Sequence, residues 1–351
     1  MKIKKLLAGA VCAALSLSLL AGCGNSGTPA PSGSGTPSGS GGGATEEPLT
    51  LKLAHNLAED HAVHIAMTAW AEEVKTQSNG SITIQIIPNG TLGSEADCIA
   101  QIQAGALEMT KVSAGTLGNF KNEWNVLSVP YVFNDKEHYY KVMDGEIAQD
   151  LYGLTAGDGF QGLTWLDSGA RSFYTANTPI RTPADLKGLK IRTMDSQMAI
   201  DMMTALGGSS QVMSYSEIYT GMQQGNVDGA ENNVTALRDH ADVTQYYCFD
   251  EHTRIPDIIV ISSNIWNKMS DNQKQIMQDT AAKMTEDYKT AWADFENEVL
   301  EAATSGSNPV ELIRDVDTAA FQEACQPIYT NLQTSDPAVY AYVERIQEAG
   351  K

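Results

Sequence analysis

Apolar positions recur with two alternating periods along the chain from residue 49 onward. Leu49, Leu51 and Leu53 alternate with Thr50 and Lys52, which predicts a strand with one buried face. Val63, Ala66, Met67, Trp70 and Val74 then fall at helical spacing, and Asn79-Gly80 supplies the stop. Ile82, Ile84 and Ile86 return to alternation, which Pro88-Asn89-Gly90 ends. Ser94, with Asp97 three residues on, predicts a capped helix that Gly105 closes, and Leu107 to Val112 predicts a third strand. Strand, helix and strand in repetition point to an α/β layer with a largely parallel sheet.

A second set of elements begins near Leu163. It contains a strand from Gly162 to Asp167, a short helix start at Thr182-Pro183-Ala184-Asp185-Leu186 and the strand Leu189 to Arg192. A helix from Ser196 to Leu206 stops at Gly207-Gly208. Ser214 and Glu217 cap another helix, which stops at Gly225, and Val227 to Glu231 leads out of it. After the apolar strand Ile258 to Ile261, residues 270 to about 302 form a helical pattern free of Pro and Gly. Helices of that length are uncommon, and this one is long enough to run along two lobes as a shared spine. The total length, 351 residues, agrees with two lobes at about 150 residues per domain.

The N-terminal region has a different character. Lys2, Lys4 and Lys5 precede an apolar stretch from Leu6 to Leu20, which ends in Leu20-Ala21-Gly22-Cys23. The stretch is short for a membrane span, and its flanks are those of a secretory signal. The terminal Leu-Ala-Gly-Cys resembles a bacterial lipoprotein signal, which implies acylation of Cys23. Residues 24 to 48 are almost wholly Gly, Ser, Thr, Pro, Ala and Glu, and are expected to form a tether spanning roughly 25–30 Å.

Charge narrows the function. Against 23 Lys plus Arg stand 43 Asp plus Glu, a formal net charge of −20. Removal of the three lysines of the signal leaves 20 basic residues against 43 acidic ones, or −23. This argues against nucleic acid and against anionic lipid surfaces as partners. With 42% hydrophobic and 19% charged residues, the composition is that of an ordinary folded protein. Cys98, Cys248 and Cys325 are odd in number and lack a C-x-x-C pair, and are read as buried small apolar residues.

No nucleophile elbow, phosphate-binding loop, zinc-protease or dinucleotide motif is present. Asp315-Val316-Asp317 begins like a calcium loop but has Ala320 where the sixth-position Gly must turn. His55, His61 and His64 lie close together, but without the companion ligands a metal site needs, so no metal or other cofactor is expected. A pair of carboxylates acting as in a glycosidase stays open as an enzyme alternative.

The seven arginines all lie at or beyond residue 171. Arg171 follows one strand directly and Arg192 ends another, and in open α/β layers ligands bind at the carboxyl ends of strands. Two guanidinium forks there would receive a carboxylate through parallel hydrogen bonds. Because the net charge repels anions, such a site has to act locally and be shielded by burial. Structural salt bridges to the many acids are the alternative use of both residues.

Pro179-Ile180-Arg181-Thr182-Pro183-Ala184-Asp185-Leu186-Lys187-Gly188-Leu189-Lys190-Ile191-Arg192, then Ser216-Glu217-Ile218-Tyr219, then Gln224-Gly225-Asn226-Val227-Asp228-Gly229-Ala230-Glu231-Asn232, resemble the extracytoplasmic solute receptors of tripartite ATP-independent periplasmic (TRAP) transporters. Pro88 to Glu95 and Val129-Pro130-Tyr131-Val132-Phe133 support the resemblance, which covers about residues 49 to 350. It implies a two-lobe periplasmic-binding-protein-like α/β fold with a long helix spanning both lobes. It also implies a receptor, not an enzyme, that closes on an organic acid and hands it to sodium-driven membrane subunits. The expected lobes are residues 49–168 with 257–296, and 169–256 with 297–351.

Carried over by motif, Arg192, Arg171 and Asn232 receive the ligand carboxylate, and Glu95, Tyr215 and Asn56 meet its other groups. Glu95 suits sugar hydroxyls better than a second carboxylate. The stretches Asp228 to Asn233 and Asp250 to Pro256 look most like the uronate branch, so the expected ligand is a hexuronate such as glucuronate or galacturonate. A C4-dicarboxylate and sialic acid are the alternatives. His252 is read as holding its lobe together and not as a ligand contact.

Overall fold

The computed structural model describes residues 47–351. The signal, the lipidation site Cys23 and all but the last two residues of the tether expected from the sequence lie outside the described residues. Eleven strands form two sheets: β1 Leu49–Ala54, β2 Ile82–Ile87, β3 Met109–Ser113, β4 Phe160–Leu166, β5 Arg171–Thr175, β6 Lys190–Thr193, β7 Ser209–Val212, β8 Gly229–Asn233, β9 Tyr246–Thr253, β10 Asp257–Ser262 and β11 Glu311–Ile313. The first sheet has the order β2-β1-β3-β10-β4 and the second β11-β9-β5-β8-β6-β7.

Each sheet is parallel except for one strand. β10 runs antiparallel to both β3 and β4, and β5 runs antiparallel to both β8 and β9. The physical reason lies in the connections. β4 passes into β5, and β9 into β10, through only a few residues, so each incoming strand enters the opposite sheet from the wrong end and inserts between two resident strands. Gly169, at φ 64°, makes the first of these crossings, where a Cβ would run into the Glu296 carboxylate.

The helix starts follow local chemistry. Ser94 with Asp97, Ser214 with Glu217, and Ser270 with Gln273 each form a reciprocal capping box. The last opens a helix of 35 residues, Asp271–Ser305, about 50 Å long at 1.5 Å per residue. Its Met277, Ala281, Met284, Tyr288 and Trp292 pack with the first sheet and helix Ala62–Gln77, while Val299 and Ala303 pack with the second sheet. One rod therefore serves both layers. The opposite faces of the two sheets share a third core, which includes Val112, Ile258, Phe173 and Ile191.

The closing helix Pro337–Ala349 returns to the first layer: His138 Nε2 lies 2.8 Å from the Ile346 carbonyl, and Lys141 Nζ donates to Ala349 O at 2.8 Å. The expected second lobe, 297–351, thus ends on segments expected in the first. The two layers also meet where Asn119 Nδ2 donates to Asp195 O at 3.0 Å and where Arg238 pairs with Asp60. Cys98, Cys248 and Cys325 are buried and free, as the sequence indicated. Burial pushes the thiols of Cys248 and Cys325 up to about 12 and raises that of Cys98.

Candidate ligand-binding cleft

A cleft of about 770 Å³ opens between the two sheets. It is floored by the carboxyl ends of their parallel strands: residues just beyond β1, β2 and β3 on one wall, and beyond β6, β7 and β8 on the other. All six ligand residues expected from the sequence, Asn56, Glu95, Arg171, Arg192, Tyr215 and Asn232, line this one space. A second hollow, about 880 Å³, lies on the outer side between helix Ala62–Gln77, residues 237–241 and the spine helix. It is mainly apolar and contains none of the six.

The two arginines have different roles. Arg171 opens β5, and its guanidinium is built into the second layer: Nε donates to Glu231 Oε2 at 2.7 Å, Nη1 to Asn232 Oδ1 at 2.5 Å and Nη2 to the Glu231 carbonyl at 2.8 Å. For this residue the structural salt bridge is realised. Arg192 stands near the end of β6, is 4% exposed and gives Nε to the Met213 carbonyl at 2.9 Å. It forms no ion pair among the described residues. Burial pulls its pKa below the ordinary arginine value, with the Glu231 carboxylate opposing. A guanidinium keeps its charge nonetheless, so Arg192 is a buried cation that lacks an internal anion.

Glu231 is the hub behind this wall. Burial works to raise its pKa, but Arg171 and His252 outweigh that and lower it to about 2. His252 is wholly buried, with Nδ1 2.7 Å from Asp250 Oδ2 and Nε2 3.5 Å from Glu231 Oε2. Burial works against its protonation, but Asp250 and Glu231 prevail and raise its pKa to about 9. His252 therefore holds its layer together, in agreement with the sequence reading. Because its folded pKa exceeds the unfolded value, its contribution is complete below pH ~6.5 and lost as pH rises through about 9. Denaturant melts are expected to show stability falling across that window, and His252→Gln is expected to remove this part of the slope. An unchanged slope in the variant would refute the assignment.

The facing wall carries a buried ammonium. Lys111, in the middle of β3, is 3% exposed and donates to Glu95 Oε1 at 3.0 Å and to Asp257 Oδ1 at 3.1 Å. Burial alone would lower its pKa, yet Asp257 and Glu95 raise it above the ordinary lysine value. Burial raises the Asp257 carboxyl, with Lys111 opposing. The second oxygen of Glu95 accepts from Ser113 N and Thr116 Oγ1, both at 3.1 Å. Asn56 Oδ1 is buried without a partner. Asn89 and Gly90, at φ 62° and 63°, turn the chain so that Gly90 comes against Asn56.

Asn232 Oδ1 accepts from Arg171 and from Asn233 N, which leaves its NH₂ as the group that can donate. The Tyr215 hydroxyl donates to Asp239 Oδ2 at 2.8 Å, and its ring lies 5.2 Å from that of His240. The histidines of residues 55–64 serve local structure. His55 Nδ1 accepts from Leu57 N and its Nε2 lies 3.0 Å from His64 Nδ1, while His61 Nδ1 caps the first helix. Burial lowers His55 and His61 to about 3, so both are neutral at pH 7.

Lys111, Asp257, Ser113, Thr116 and Trp292 also line the cleft and went unnoticed in the sequence. A lysine at the centre of an expected strand, and an acid at the head of the run Ile258 to Ile261, were the available signals.

Comparison with known proteins agrees with this geometry. The profile of the bacterial extracellular solute-binding proteins, family 7, matches residues 53–336. The uncharacterised protein YiiZ of Salmonella typhimurium is 40% identical over 302 residues, 85% of this chain and 91% of its own. A TRAP periplasmic solute-binding protein from Anaerococcus prevotii, solved with bound glucuronate, superposes with a TM-score of 0.80 at 31% identity, covering 86% of this chain and 97% of its own. One from a Sulfitobacter species, with bound galacturonate, gives 0.82 at 30% identity, covering 86% and 100%. A two-layer fold on one spine, a polar cleft at the strand ends and these likenesses together establish that the chain belongs to family 7 of the bacterial extracellular solute-binding proteins, the receptors of TRAP transporters.

Proposed function

We propose that this protein captures a hexuronate such as glucuronate or galacturonate outside the cytoplasm and delivers it to the membrane subunits of a TRAP transporter. The observation that carries this reading is Arg192, a buried guanidinium in the cleft wall that forms no ion pair among the described residues. A ligand carboxylate supplies the anion through paired charge-assisted hydrogen bonds. Arg171 has three of its N–H groups committed and contributes from those remaining, beside the Asn232 amide. Glu95 and Asn56 accept from sugar hydroxyls on the facing wall, and Tyr215 covers the ring. The relatives solved with glucuronate and galacturonate support this ligand class.

Because the ligand groups come from both sheets, binding favours closure of two bodies, 49–168 with 257–296 and 169–256 with 297–336, the closing helix Pro337–Ala349 of the expected second lobe moving with the first. Acylated Cys23 would tether the receptor to the membrane; among the described residues no helix is long and apolar enough to cross one. The protein acts without chemistry on its ligand.

A thermal-shift series with glucuronate, galacturonate, malate and sialic acid tests the reading. Hexuronates are expected to stabilise saturably, by about 2.7 kcal/mol at a hundredfold excess over Kd. Ligand should be recovered unchanged. Product formation, or greater stabilisation by malate or sialic acid, would overturn the reading.

A further inference from the structure

The cleft walls differ in formal charge. Among the buried groups of the second-layer wall Arg171 is matched by Glu231 and His252 by Asp250, so Arg192 remains as one net positive charge, while the acids Asp195, Glu217 and Asp97 that also line the cleft are exposed and screened by solvent. On the first-layer wall a single ammonium, Lys111, stands between two carboxylates, Glu95 at 3.0 Å and Asp257 at 3.1 Å, which leaves one net negative charge. All three of these side chains are buried or nearly so, with side-chain exposures of 3%, 14% and 12%, so solvent screens them little.

We propose that Lys111 and Asp257, together with Glu95, form a charge filter that admits sugar acids carrying one carboxylate and rejects those carrying a second at the far end. This rests on the hexuronate reading above and adds the residues that set its specificity. A monocarboxylate sugar acid places its anion at Arg192 and offers hydroxyl donors to the opposite wall, where carboxylate oxygens and the unpartnered Asn56 Oδ1 accept them. A dicarboxylate of equal length brings a second anion to a wall whose buried groups are already one charge negative, and replaces the terminal hydroxyl donor by an acceptor. Lys111 keeps the two acids side by side. Without it they would repel each other, and one would take up a proton and turn one of its acceptor oxygens into a donor. The filter works by juxtaposing like charges, a means by which binding sites suppress wrong partners.

The test compares glucuronate with glucarate, the six-carbon acid carrying a carboxylate at both ends, by calorimetry on the full chain. Wild type is expected to bind glucarate at least ~10-fold more weakly than glucuronate. Asp257→Asn and Glu95→Gln each make the wall neutral, and each is expected to tighten glucarate binding by ~10-fold or more while weakening glucuronate through loss of an acceptor. Wild type binding glucarate as tightly as glucuronate would overturn the filter. So would glucarate affinity that is unchanged or lower in both variants while they still bind glucuronate. If neither variant folds, the wild-type ratio of the two affinities decides. Failure of wild type to bind glucuronate at all would overturn the hexuronate reading, and the filter with it.

Discussion

Arg192→Ala is expected to weaken hexuronate binding by at least ~2–3 kcal/mol, or about 30- to 150-fold, in a calorimetric titration. The size follows from burial. A guanidinium fork that is 4% exposed meets its anion with almost no competing water, and removing it leaves the ligand carboxylate desolvated and unpaired. Arg192→Lys is expected to fail as well, because a point charge cannot offer two parallel donors. Folding should be little affected, since among the described residues the side chain's one hydrogen bond is that to the Met213 carbonyl. Affinity close to wild type in the alanine variant would remove Arg192 from the site.

Arg171→Met is expected to produce the converse pattern. Its guanidinium holds Glu231, whose carboxylate is 2% exposed, and breaking a buried pair from one side costs about 3–5 kcal/mol because the remaining charge is stranded. Urea melts at neutral pH should show that loss. The Glu231 carboxyl should also rise from about 2, since its main stabilising charge is gone, so the stability that the wild type loses as pH falls from the ordinary glutamate range toward about 2 should shrink in the variant. A change below about 1 kcal/mol, the range of exposed pairs, would contradict the structural role given to Arg171 here. On the proposed reading the two arginines, similar on strand position alone, thus differ in emphasis: Arg192 commits one donor to the protein, whereas Arg171 commits three to the wall behind the cleft.

What the sequence disclosed and what it hid divide along the range of the interactions involved. Ser94 with Asp97 and Ser270 with Gln273 act over three residues, so their capping boxes and the long helix were readable. The run Ile258 to Ile261 announced a buried strand but said nothing of its direction, because strand order is decided by partners far away, here β3 and β4. The same limit applies at the cleft. Arg192 and Asn232 were found through local motifs, whereas the Lys111–Asp257 pair joins residues separated by 146 positions. Arg171 shows the limit from the other side: its place at a strand end was legible, but its partner Glu231, on the strand beside it, was not.

The three buried cysteines determine how the protein relates to its surroundings. A thiol that ionises only near pH 12 presents almost no thiolate at neutrality, and thiolate is the species that attacks disulfides and oxidants. Cys98, Cys248 and Cys325 are neither paired nor reactive, so the described fold contains no bond that a change of redox potential can make or break. A receptor built in this way offers, among its described residues, neither a disulfide nor an exposed thiol for an oxidising or reducing medium to act on.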